Sequence, residues 1–147
     1  MKWALRIVLS LVAIAGAIAL VGYFLPVAHE ASKGGEFSRP PEDVFALLAD
    51  PNGYKGWWDG ADVKTEVVER VPPSRLVTKI VGETQFGGTW TFEIVPTPGG
   101  SRMTITERGE VYNVIFRTLS KFVFGYTGTM ESCLQAAQKK LAPPSAS

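Results

Sequence analysis

Few side chains in this sequence could do chemistry, and they are scattered. The one histidine, His29, follows a long apolar N-terminal run, and the one cysteine, Cys133, lies far from it. A nucleophilic triad needs an imidazole held in place by neighbours, and His29 reads better as a surface or interfacial imidazole than as a general base. One histidine and one cysteine are too few for a zinc site, and no glycine loop followed by a lysine is present to cradle phosphate, so neither metal nor cofactor is expected. Gly87-Gly88 and Gly99-Gly100 read as turn glycines. Cys133 cannot form an internal disulfide and falls within an apolar periodicity, which suits a small buried side chain. Glu107 is the informative carboxylate. It alternates with Met103, Ile105, Gly109 and Val111, so if that face is inward the carboxylate enters an apolar interior, which is costly unless it is hydrogen-bonded or protonated. There it could orient a ligand hydroxyl or act as an acid or base, with Tyr126 as a second candidate for proton transfer. The structural alternative is an ion pair with Arg108 or Arg102, or a strand end facing water.

The elements that would position these residues follow from patterning. Val114 to Leu141 reads as one long amphipathic helix, because Ile115, Leu119, Phe122, Tyr126, Met130, Cys133, Ala137 and Leu141 recur at helical spacing and share one side. Gly125 and Gly128 interrupt it, by close approach to a sheet or by a bend that leaves room for a ligand. Five segments have strand character: 27–37, 63–71, 76–81, 89–95 and 102–112. The clearest alternation sets Trp90, Phe92 and Ile94 against Thr89, Thr91 and Glu93. Pro40-Pro41-Glu42-Asp43 starts a short helix over 44–49, since proline fits the first turn and acidic residues favour the positive end of the helix dipole. Asp50-Pro51-Asn52-Gly53 ends that helix and opens a turn towards Tyr54, Trp57 and Trp58. Short turns between strands imply antiparallel pairing, and the simplest cover for the helix stripe is a curved antiparallel sheet.

The N-terminus has its own logic. Ile7 to Leu25 runs for nineteen residues without a charge. At ~1.5 Å per residue this spans about 28 Å, close to the ~30 Å hydrocarbon core of a bilayer. Residues 1–26 are therefore expected to be a membrane anchor, with an uncleaved signal-anchor favoured because the small-x-small triplets lie inside the apolar run. Lys2 and Arg6 put the N-terminus in the cytoplasm and the domain outside it, in the periplasm if the cell is bacterial. Apart from those two, thirteen basic residues face fourteen acidic ones, and no nucleic-acid partner is expected. Residues 27–141 form one domain, and 142–147 read as a disordered tail.

The order of elements, with Arg39–Pro51 followed by Tyr54 and Trp57, then Gly88–Pro96 and Gly99–Glu107, resembles the START-like helix-grip superfamily, in particular the SRPBCC group of polyketide cyclase/dehydrase and lipid transport proteins. The resemblance covers residues 27 to 141. It implies an α+β fold with a sheet of about five strands wrapped round the C-terminal helix, and a small hydrophobic or lipid-like ligand between them. The expected lining is Phe37, Trp57, Trp90, Phe92, Ile94, Met103, Ile105, Glu107, Phe122, Tyr126 and Met130. Members usually have six or seven strands, and five would open or shrink one side of the cavity. A cyclase or dehydratase using Glu107 or Tyr126 is the enzymatic alternative. An interaction module using the sheet face or Phe116, Val123 and Phe124 is the other.

Overall fold

A computed structural model of the chain describes residues 2–50, 53–60 and 63–143. The elements are α1 (Lys2–Phe24), β1 (Ala28–Phe37), α2 (Pro41–Leu48), β2 (Thr65–Val71), β3 (Arg75–Ile80), β4 (Phe86–Thr97), β5 (Gly100–Val111), α3 (Val114–Leu119), a π-helical turn (Ser120–Phe124) and α4 (Gly128–Leu141). The strands form one antiparallel sheet in the order β1-β5-β4-β3-β2. Pro51 and Asn52 of the expected turn, and residues 144–147 of the expected tail, lie outside the described residues.

The inner face of the sheet is built as the alternation dictates. Across β4 and β5, Ile94 pairs with Met103, Phe92 with Ile105 and Trp90 with Glu107. Phe92, Ile94, Met103 and Ile105 are buried against Val44 and Leu48 of α2 and Met130, Cys133 and Ala137 of α4. α2 starts as expected, with Pro41 in its first turn beside Glu42 and Asp43. β1 turns His29, Ala31, Lys33, Gly35 and Phe37 inward, and Lys33 there pairs with Glu131 of α4 at 2.8 Å.

Two expectations are corrected. The single helix over 114–141 is two helices, because Gly125 takes φ +72°, a left-handed conformation that ends the preceding turn. Neither Gly125 nor Gly128 has any atom within 4 Å of where a Cβ would stand, so close approach is not their reason. Asn113 caps α3 by accepting from the backbone N–H groups of Ile115 and Phe116, both at 3.0 Å. The second correction concerns Gly87-Gly88, which lie inside β4 and pair with Glu110 and Gly109 rather than forming a turn. Gly88 has φ +132°, and a Cβ there would strike the Arg108 carbonyl oxygen.

Burial makes Cys133 a structural thiol, its pKa pushed up to about 12, and it likewise pushes the Tyr54 phenol up to about 12, reinforced by Cys133 and opposed by the Thr78 hydrogen bond. The unfolded chain ionises from the ordinary values of 9.0 and 10.0, so the two groups stabilise the fold fully below pH 9 and lose that contribution as pH rises towards about 12. Denaturant midpoints are therefore expected to fall between pH 8 and pH 11, with the loss reduced in Cys133→Ala. Equal midpoints at the two pH values would contradict this burial.

Candidate functional site

The break between the two C-terminal helices decides where the sheet is left uncovered. α4 and α2 close one half of the inner face. The other half, around the Trp90 end of β4 and the His29 end of β1, lies under the π turn and the 125–127 connection. A partly open cavity of about 410 Å³ remains there, lined mostly by apolar groups from β1, β3, β4 and β5, the Tyr54–Gly60 segment and the α3–π region. This volume falls within the range of roughly 300 to 1,000 Å³ that small-molecule sites occupy.

Polar groups converge on its wall. Glu107 accepts from Trp90 Nε1–H at 2.8 Å through Oε2, and its Oε1 lies 3.0 Å from His29 Nε2. The imidazole stacks on Tyr126 with ring centroids 3.8 Å apart and planes 16° from parallel. The His29 and Glu107 side chains are only 12% and 20% exposed. As a carboxylate, Glu107 accepts at both oxygens, so His29 presents Nε2–H to it, and in its neutral form the imidazole carries its lone pair on Nδ1. That Nδ1 is buried with no hydrogen-bond partner among the described residues, and Trp57 Nε1 is in the same condition. A buried polar atom without a partner is costly in an otherwise satisfied interior and marks a place where a ligand group would be welcome. Burial raises the Tyr126 phenol, opposed by the Arg117 guanidinium and reinforced by Glu107, so the phenol keeps its proton at neutral pH.

Sheet register explains the constellation. Ala31, Glu107 and Trp90 form one row across β1, β5 and β4, and His29, Gly109 and Gly88 form the next. With two glycines in that row, His29 lies flat over Gly109, where a Cβ would collide with its ring, and reaches diagonally to Glu107. The arginines considered as partners for Glu107 face the other side: Arg108 binds Glu30 at 2.8 Å, and Arg102 pairs with Glu36.

Of the expected lining residues, Trp90, Glu107 and Tyr126 are at the cavity. Phe37, Phe92, Ile94, Met103, Ile105 and Met130 are packed into the core, where α2 and α4 cover them. Trp57 packs against that core edge-on to Tyr54, and Phe122 is 65% exposed on the far side of the π turn. His29, Tyr54, Trp58, Phe86, Phe116 and Phe124 line the cavity without having been singled out for it. For His29 a signal existed: it shares the inward face of β1 with Phe37. Among the described residues no group of three or more His, Cys, Asp or Glu side chains converges as a metal site.

Solved structures share this architecture. A START superfamily protein from Mycobacterium smegmatis matches with a TM-score of 0.61 at 15% identity, over 77% of this chain and 97% of that one. A protein from Chromobacterium violaceum matches at 0.58 and 15% identity, over 78% and 98%. The di-domain ARO/CYC StfQ from the steffimycin biosynthetic pathway matches at 0.56 and 11% identity, over 78% of this chain and 51% of that one. No protein-family model matches the sequence, and no curated protein matches it. At these identities the likeness establishes the fold alone: the chain has a START-like helix-grip α+β architecture, with an N-terminal helix, α1, long and apolar enough to cross a membrane.

Proposed function

We propose that the protein binds a small hydrophobic or lipid-like molecule in this cavity while α1 holds it at a bilayer. The observation that carries the reading is a mostly apolar cavity of about 410 Å³ whose wall carries His29 and Glu107, with His29 Nδ1 buried and unpartnered among the described residues. The ligand's body lies against Trp58, Trp90, Phe86 and Phe116, and a hydroxyl on it donates to Nδ1. Burying a chain yields ~0.8 kcal/mol per methylene, so ten methylenes give about 8 kcal/mol before ordering costs, enough for micromolar affinity. Lys2 and Arg6 on the N-terminal side of α1 support an extracytoplasmic position for the domain through the positive-inside tendency.

Native mass spectrometry in mild detergent, with and without added lipid extract, tests this. The expected result is a discrete added mass together with a change in tryptophan emission from Trp58 and Trp90. An unliganded mass under every condition overturns it. The carboxylate-held imidazole favours a second reading, an acid–base enzyme in which Nδ1 takes a proton from the bound molecule and Glu107 stabilises the imidazolium. His29→Gln that turned over a candidate substrate at the wild-type rate would remove that reading.

A further inference from the structure

α1 does more than tether. Its first part is exposed, but its last two turns are docked on α3: Thr118 donates to the Ile18 carbonyl at 2.9 Å, and Arg117 donates to those of Gly22 at 2.9 Å and Leu25 at 3.1 Å. Gly22 is buried in this contact, and a Cβ there would collide with the Val114 carbonyl, so the backbones touch. The depth of α3 in a bilayer is thereby fixed by the depth of α1. If the uncharged run begins at Ile7 at one edge of the ~30 Å hydrocarbon core, Ile18 lies about 16 Å in and Gly22 about 22 Å in, both within the far leaflet.

From this geometry we infer that Val114–Phe124, α3 and the π turn, is embedded in the acyl-chain region of that leaflet beside α1. The inference rests on the reading that α1 crosses a bilayer. The segment has the composition for it. Ile115, Phe116, Phe122, Val123 and Phe124 are 39% to 66% exposed, a patch continuous with the exposed apolar surface of α1. Its two charges are accounted for: Arg117 is buried with its donors on backbone carbonyls, the arrangement that hydrocarbon requires, and Lys121 has a stem long enough to reach the interface. Phe116 and Phe124 also line the cavity, so its rim opens onto acyl chains and an apolar ligand reaches the site without crossing water.

The test uses the full chain with Cys133→Ala, reconstituted in phosphatidylcholine vesicles that carry nitroxide-labelled acyl chains. An environment-sensitive fluorophore is attached at Leu11→Cys, Phe124→Cys or Gln135→Cys, the last on the exposed side of α4. The expected result is a blue-shifted emission and loss of most of it by nitroxide quenching at positions 11 and 124, with neither at 135. Position 124 behaving like 135 while 11 is quenched overturns the embedding and leaves α1 in the bilayer. A probe at 124 that is shielded from water but unquenched reports burial in the cavity or against a second protein copy and also overturns it. If position 11 itself is unquenched, the membrane reading fails and the embedding fails with it. Ligand mass measured on the same preparations reads out cavity binding separately from all of these outcomes.

Discussion

Arg117→Met is expected to free the end of α1 from the domain and to lower stability by about 3 kcal/mol, the scale of removing one partner from a buried charged contact. Arg117 is 6% exposed and serves four carbonyls: Val111 at 2.8 Å through Nε, Gly22 at 2.9 Å and Leu25 at 3.1 Å through Nη1, and Tyr112 at 3.1 Å through Nη2. Two of these belong to the final turn of α1 and the residue after it. The last carbonyls of any helix lack intrahelical partners and gather the negative end of its dipole, so a guanidinium is the cap chemistry calls for there. Methionine fills similar volume and satisfies none of the four. Lysine keeps the charge but not the planar fork, and is expected to recover only part of the loss. Hydrogen exchange in detergent reads the result: the largest acceleration at Ile18–Leu25 and through α3, with the centres of β4 and β5 affected least. Unchanged protection over Ile18–Leu25 would mean that Arg117 does not hold the helix.

The same residue shows why part of this molecule was legible in its sequence and part was not. The inward faces of β4 and β5 are written locally, in the alternation of Trp90, Phe92 and Ile94 and of Met103, Ile105 and Glu107. Their pairing needs only a short turn, and Glu107 could be placed among apolar side chains without knowing its partners. Arg117 finds Gly22 and Leu25 at 95 and 92 positions' remove, and nothing local to it announces either. Phe122 failed for a different reason. The apolar period runs unbroken through Gly125, but the π turn adds a residue and shifts the helical phase by about 100°, so Phe122 leaves the face it was assigned to. The core residues mistaken for cavity lining share that cause. A continuous helix would have run over the whole sheet, whereas the break lets α4 seal the Phe92–Ile105 half and uncover the Trp90–Glu107 half. His29 required the register, because its place over Gly109 exists only where Gly88 and Gly109 stand opposite each other.

Glu107→Ala is expected to cost about 3 kcal/mol, because it leaves Trp90 Nε1–H and His29 Nε2–H without an acceptor in a mostly buried place, each at about 1 to 3 kcal/mol before solvent reaches in. Glu107→Gln is the sharper variant. Tryptophan can only donate, so the amide oxygen must face Trp90 and the amide NH₂ must face His29. His29 then accepts at Nε2 and carries its proton on Nδ1, the reverse of the arrangement a carboxylate imposes. Nδ1 changes from acceptor to donor, and the cavity should exchange a preference for ligands that donate a hydrogen bond for one for ligands that accept. A hydroxyl can turn to accept from Nδ1–H, so alcohols should bind about as before and the expected change is a gain for ketones on the order of tenfold, since one unsatisfied buried group costs upward of about 1.4 kcal/mol. Nitrogen NMR of the imidazole reads the tautomer directly, and paired binding measurements with an alcohol and the matching ketone read its consequence. Gly109→Ala provides the steric control: it should push the ring off its seat and abolish both tautomer signatures, with the Glu107 carboxylate shifting as well because the new Cβ would stand 2.9 Å from its Oε1. If the Gln variant shows the same imidazole tautomer and the same alcohol-to-ketone preference as the native protein, Glu107 does not set the proton on His29, and the polar station of the cavity must be sought elsewhere on its wall.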